Sequence, residues 1–346
     1  GFKNLNAAAS KFGAAQGVWL SPRGGYAAAQ AKRLAYGKSQ GYETTRQGYS
    51  MAGDKYRKAY LDVCLKMIRE QGVVFFKFDR MGGGGHDVAG AGGLPDDIDG
   101  VLEVSKALRR EKPDVFISAT VGTWASPFWT LYSDCIWRQG LDTGMFGPGD
   151  TRQQWITYRD KFCHDRVVQA GPLYQLNSLM LHGVCIGKRP GRAPSGFAFT
   201  EKSVADEIWS FFGSGTNLQE LYVSPDVMSE TMLDELAAAA KWSRANRDVL
   251  VDTHWVGGNP GKGEVYGWAS WRPGKGILVL RNPSEETKEF VTTLAEVLEF
   301  PKGKKEVLTP APVFPRDYGK LSGKPVQPGE PVRLSLEPFE VVVLEW

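Results

Sequence analysis

The chain has no long apolar run. Its apolar stretches are short, such as Gly72-Val73-Val74-Phe75-Phe76, and none approaches the 18 residues of a membrane-spanning helix. It has no excess of one charge: 42 basic against 39 acidic residues leave +3, which points to neither nucleic acid nor an anionic membrane surface. Cysteine is scarce. Cys64, Cys135, Cys163 and Cys185 stand singly, without a C-x-x-C pair, which excludes the usual zinc and redox motifs and predicts buried free thiols. His86, His164, His182 and His254 lack ligand spacing, so no metal is expected. The start, Gly1-Phe2-Lys3-Asn4, lacks the basic-then-apolar order of a signal peptide, and a first residue other than Met means processing, a tag or an incomplete chain. No Gly-x-Ser-x-Gly elbow is present. The Gly82–Gly85 run lacks the Gly-Lys-Ser/Thr that would make it a phosphate loop.

What is present is a 346-residue chain, 42% hydrophobic, with a core large enough for one large or two ordinary domains. Its 41 glycines and 20 prolines predict many loops, and 11 Trp with 12 Tyr supply ring faces. Residues 1–250 alternate strand and helix. Gln16–Leu20 reads as a strand and Asp54–Gln71 as an amphipathic helix. Val73–Phe78 is a strand, Asp97–Glu111 a helix, Val115–Val121 a strand and Tyr132–Trp137 a strand end. Leu176–Ile186 is strand-like, Ala205–Phe212 helical, Asn217–Val223 a strand and Met228–Ala245 a helix. Such units predict a parallel α/β sheet wrapped by helices, open or closed into a barrel. After a boundary near Asp248–Asn259, short strands bounded by turns follow: Val265–Trp271, Gly276–Arg281, Lys288–Thr293, Lys305–Leu308, Val332–Leu336 and Phe339–Leu344. This part, 251–346, reads as an antiparallel β-sandwich.

The sharpest local feature is Phe75-Phe76-Lys77-Phe78-Asp79-Arg80, a buried strand ending in a carboxylate. In a parallel barrel the C-terminal strand ends carry the site, so Asp79 faces the mouth. The plain alternative is that Asp79 caps a helix or pairs with Arg80. Lys77, two residues earlier, points to the same side and can keep Asp79 ionised. Ser133-Asp134 lies two strand units later. Two carboxylates on nearby strand ends suit glycoside hydrolysis, although Asp134 could instead pair with Arg138. Arg138 and Gln139 could bind sugar hydroxyls. Trp19, Trp124, Trp129 and Trp137 could stack on a sugar or fill core, and His182 could line the mouth or sit in the core.

The order of Trp19-Leu20-Ser21-Pro22, Lys77-Phe78-Asp79 and Ser133-Asp134 resembles the α-galactosidase clan of retaining glycosidases, its melibiase-like branch above all. The segment Gly257–Pro283 and the ending Phe339–Leu344 are similar to that family's C-terminal sandwich. The resemblance implies a (β/α)8-type barrel with Asp79 as nucleophile and Asp134 as general acid/base. Trp19, Lys77, Trp124 and Arg138 become substrate-binding candidates. It implies hydrolysis of terminal α-linked galactose-type residues on an oligosaccharide or glycoconjugate, without metal or organic cofactor. The alternatives are an α-N-acetylgalactosaminidase or other mucin-type exo-glycosidase, or a non-catalytic carbohydrate-binding protein. The substrate class suggests a secreted or periplasmic place. Where the family's fifth strand ends in Cys-x-Ser-Gly-Gly, this chain has Thr120–Trp124. Six barrel strands are counted rather than eight, and Asp96-Asp97, after Pro95, reads as a helix start rather than the family's sugar-binding Asp pair. The first strands are therefore expected from upstream residues, a second polypeptide or a neighbouring copy. Asp79 and Asp134 are expected to face each other across one cleft.

Overall fold

The computed structural model describes residues 2–81, 95–187, 199–320 and 323–346. The Gly82–Gly85 run and His86 lie outside them. Contacts divide the chain into two compact units, Gly1–Gln139 and Gly140–Trp346.

The first unit contains α1 (Lys3–Ser10), β1 (Gln16–Leu20), α2 (Ala27–Ser39), a small hairpin of β2 (Thr44–Thr45) and β3 (Gly48–Tyr49), and α3 (Asp54–Gln71). β4 (Val73–Phe78), α4 (Pro95–Glu111), β5 (Phe116–Ala119) and β6 (Cys135–Trp137) follow. β1, β4, β5 and β6 pair in that order, all parallel. Alternation along β4 decides its two faces. Phe76 and Phe78 are fully buried, and Phe78 packs 6.1 Å from the Tyr60 ring of α3. Phe75 points the other way and meets Phe116 of β5 at 5.4 Å. α3 ends at Gly72, whose φ of 69° is left-handed and lets the chain turn straight into β4. Burial pushes the Cys64 thiol of α3 up to about 12, an inert core sulfur, and all four cysteines are free and buried.

The second unit begins with α5 (Thr151–Cys163), capped by Asp150, whose carboxylate accepts from the Arg152 and Gln153 amides. Next come β7 (Leu179–Ile186), α6 (Glu201–Gly213), β8 (Leu218–Val223), α7 (Glu230–Ala245) and α8 (Arg247–Leu250). β7 and β8 pair in parallel. After α8 comes β9 (His254–Gly257). β10 (Tyr266–Arg272), β11 (Lys275–Arg281), β12 (Lys288–Thr293), the short α9 (Leu294–Val297), β13 (Ala311–Phe314), β14 (Pro331–Leu336) and β15 (Val341–Glu345) complete the chain. These strands form a five-stranded antiparallel sheet, β13-β15-β11-β10-β9, and a two-stranded one, β12-β14. Leu278, Leu280, Leu334, Leu336, Val342 and Leu344 from both sheets share one buried cluster. The other face of β11 meets α6 so closely that a Cβ on Gly213 would lie 2.6 Å from Val279. Lys305–Leu308 is not a strand; Leu308 makes only an isolated bridge to Val326.

A buried polar network joins α5 and α6 to β10 and β11. Arg152 pairs with Glu207, whose Oε1 also accepts from the Trp155 indole at 2.9 Å and the Cys185 amide at 3.1 Å. Arg159 pairs with Asp160 at 2.7 Å, and the Tyr266 hydroxyl donates to Asp160 at 2.7 Å. Arg281 donates to Thr157, Tyr266 and both the carbonyl and side-chain oxygens of Gln153, all within 3.1 Å. Breaking one member of a buried ion pair leaves its partner uncompensated, at about 3–5 kcal/mol. Glu207→Gln should therefore lower unfolding free energy by about that amount in denaturant titration; a loss under ~1 kcal/mol, typical of an exposed pair, would contradict the network's role.

Asp206, next to this network, is 2% exposed and bonds the Lys202 ammonium at 2.7 Å. Burial, the largest influence, pushes its carboxyl up to about 6, against the pull of Lys202 and Arg281. Unfolded, it titrates near ~3.9, so the folded state holds the proton more tightly. Its contribution is complete below ~pH 4 and is lost as pH rises through 6. Asp206→Asn should therefore gain stability relative to wild type as pH rises from 4 to 7, by roughly 2–3 kcal/mol, in thermal or denaturant melts at each pH. A pH-independent difference would show that the group does not titrate there.

Candidate active site at the end of β4

Asp79 is the first residue beyond β4. Its amide donates to the Leu20 carbonyl at 2.9 Å, and the Thr120 amide donates to the Phe78 carbonyl at 2.9 Å. The ladder thus runs one residue past β1, β4 and β5 and fixes Asp79 at their C-terminal end. Asp79 is 6% exposed. The Tyr26 hydroxyl donates to its Oδ1 at 2.9 Å, and the Thr120 hydroxyl lies 3.5 Å from the same oxygen. Among the described residues no side chain bonds Oδ2. Arg80 does not cap or neutralise this carboxylate. Its φ of 61° turns the chain sharply, its guanidinium sits 4.9 Å from the Tyr26 ring centre, and its Nη1 donates to the Gly25 carbonyl at 2.9 Å. A left-handed non-glycine residue costs about 1–2 kcal/mol and marks a place where the surroundings dictate the backbone. The result is a carboxylate with one oxygen fixed by a phenol and the other unclaimed, an arrangement able to act as a nucleophile or as a hydrogen-bond acceptor.

Asp134 is not part of it. It precedes β6 rather than following it. Its amide donates to the Ile117 carbonyl at 2.8 Å, and its Oδ2 accepts from the Ile117 amide at 2.6 Å and the Arg109 guanidinium at 2.7 Å. Ile117 stands three residues before Thr120, the neighbour of Asp79. Three residues along the strands and two strand spacings across separate the two backbones by about 14 Å. Asp134 is held at the start of β6 and Asp79 follows the end of β4, so the two stand at opposite ends of parallel strands. The expectation that they face each other is overturned, and Asp134 pairs with Arg109 rather than Arg138.

The remaining predicted residues of this unit divide by position. Lys77 is half-buried on β4 and Trp19 is 65% exposed on β1. Trp124 follows β5 and lies edge-on to the fully buried Trp129, 5.3 Å between ring centres. Arg138 follows β6, buried, with its guanidinium 5.8 Å from the Trp137 ring centre and a hydrogen bond to the Gln139 carbonyl. Trp124, Arg138 and Asp79 thus share the C-terminal strand ends. Tyr26 and Thr120 were not foreseen. Thr120 lies near the end of the predicted strand Val115–Val121, where nothing singled out its hydroxyl; for Tyr26 the Gly24-Gly25-Tyr26 turn after a strand was the available signal.

In the second unit, His182 is buried on β7 and its Nε2 lies 2.8 Å from the Glu220 carboxylate on β8. The Tyr222 hydroxyl donates to the same carboxylate at 3.2 Å. Burial first, then the charges of Glu220 and Asp142, push the Tyr222 phenol well above its ordinary value. Glu220, Tyr222 and Asp142 were also not foreseen.

No family model and no curated protein matches the sequence. Solved structures do. A proposed α-N-acetylgalactosaminidase of Bacillus halodurans superposes with a TM-score of 0.63 at 18% identity, over all of this chain and 78% of that one. An α-galactosidase of Mortierella vinacea gives 0.61 at 12% identity, over 100% and 79%. The galactosidase domain of an α-galactosidase–sucrose kinase gives 0.64 at 15%, over 100% and 45%. The chain has the fold of the α-galactosidase clan, as the resemblance implied.

A carboxylate that holds a strand start is a stability group. Asp134→Ala should lower unfolding free energy by about 1–3 kcal/mol, the cost of leaving the Ile117 amide and Arg109 without their partner. It should leave the fraction of residual activity per folded molecule near wild type. Loss of turnover without loss of stability would return Asp134 to the site.

Proposed function

We propose that the chain is a retaining exo-glycosidase that releases terminal α-linked galactose-type residues, built on a (β/α) barrel and a C-terminal β-sandwich. The reading is carried by Asp79, a carboxylate at the C-terminal end of a parallel strand with one oxygen held by Tyr26, on a fold shared with glycosidases. Asp79 attacks the anomeric carbon as the glycosidic C–O bond breaks. A general acid protonates the leaving oxygen, then takes a proton from the water that releases the sugar, so two inversions retain the anomeric configuration. The Tyr26 bond orients the carboxylate.

With Asp134 at the wrong end, the proton donor has to come from elsewhere. Trp19, Lys77, Trp124 and Arg138 remain the substrate-binding candidates. The Bacillus halodurans neighbour favours α-N-acetylgalactosaminides as the second substrate.

The test is hydrolysis of aryl α-galactosides and α-N-acetylgalactosaminides. Asp79→Asn should cost roughly 10⁴-fold or more in kcat with every leaving group. No hydrolysis by wild type would favour a carbohydrate-binding protein.

A further inference from the structure

Beside Asp79, and within the same unit, lies a cleft of about 740 Å³. This is within the ~300–1,000 Å³ of small-ligand sites. Its floor is made by Tyr49 and Tyr56, buried and stacked at 4.1 Å. Its walls carry three exposed rings: Trp19 at 65%, Tyr36 at 65% and Tyr26 at 43% exposure. Such rings are costly to leave in water unless something covers them, and rings with polar rims suit ligands that are apolar on one face and hydroxylated at the edge. Sugar rings are such ligands. The cleft is continuous with the site, because Tyr26 lines it and donates its hydroxyl to Asp79.

Its charge has one sign. Among the described residues Lys32 and Arg33 line it, and no carboxylate does. Arg33 is partly committed, donating to the Gly24 carbonyl at 3.0 Å, whereas Lys32 forms no ion pair with a described residue. The buried Arg23 and the half-buried Arg80 stand behind the same Ser21–Tyr26 turn, and Asp97 answers only Arg23. A low-dielectric aromatic wall beside the Lys32 ammonium focuses positive potential into the cleft.

We infer that this cleft is a subsite for an anionic sugar, one bearing a carboxylate or a sulfate ester, with its ring against Trp19 or Tyr36 and its charge on Lys32. Taken with the proposed function, on which only its catalytic meaning rests, it makes the substrate an acidic glycan whose galactose-type terminus lies at Asp79.

The experiment is calorimetric binding to Asp79→Asn, which keeps an acceptor for Tyr26, at low salt. The probes are three matched galactosyl trisaccharides: neutral, hexuronate-containing and sulfated. Acidic probes should bind at least tenfold tighter than the neutral one. The advantage should fall below threefold in Lys32→Gln and shrink as salt rises through the screening range. Trp19→Ala should weaken all three together. A preference for one acidic probe alone would identify the source of the charge. Equal affinity for all three, or a preference untouched by Lys32→Gln, would overturn the inference. Because the readout is binding, it stands apart from the neutral aryl glycosides that test hydrolysis.

Discussion

A parallel strand has only one C-terminal end, and this polarity governs everything the first unit can do. β1, β4, β5 and β6 run the same way. A residue just after one strand can therefore meet residues just after its neighbours, and never those just before them. Asp79, Thr120, Trp124 and Arg138 fall on one side of that divide and Asp134 on the other. The ladder that fixes Asp79 through Leu20 and Phe78 also fixes how far Asp134 must stay from it. No side-chain rotation bridges the gap.

The second unit is organised by a different constraint. Its layer of helices meets the antiparallel strands through charged side chains, with Arg281, Arg159 and Arg152 answered by Asp160, Glu207, Tyr266 and Gln153. A hydrophobic contact of the same area tolerates sliding, whereas a network of directional guanidinium bonds admits one register. The cost is high sensitivity to loss of any member. The apolar cluster shared by the two antiparallel sheets supplies burial, and the network supplies position.

Strands and helices with apolar periodicity were legible in the sequence: β1, α3, β4 and β12 have the bounds that pattern alone predicts. α5 was not, because it buries Arg152, Gln153, Arg159 and Asp160 alongside Trp155, Ile156, Tyr158 and Cys163, and charged residues inside break the apolar stripe that periodicity reads. α2 was missed for the opposite reason. Gly37 is its one buried residue, so it has no apolar stripe, and the Ala-rich propensity was the available signal. Of the site, Asp79 could be read because it ends a strongly apolar strand. Asp134 was misplaced because Tyr132–Trp137 was read as one strand end, whereas β6 starts at Cys135, after the carboxylate. A three-residue strand gives pattern too little length to tell its start from its end.

The central claim is that Asp79 forms the covalent glycosyl-enzyme. The most direct measurement is to trap that species with an activated 2-deoxy-2-fluoro-galactosyl fluoride or a galactose-configured cyclophellitol aziridine, digest the protein, and locate the added mass by tandem mass spectrometry. The account predicts one label per chain, on the peptide spanning Val73–Arg80, at Asp79. A label on Asp134, on Asp142 or on any other residue would contradict it.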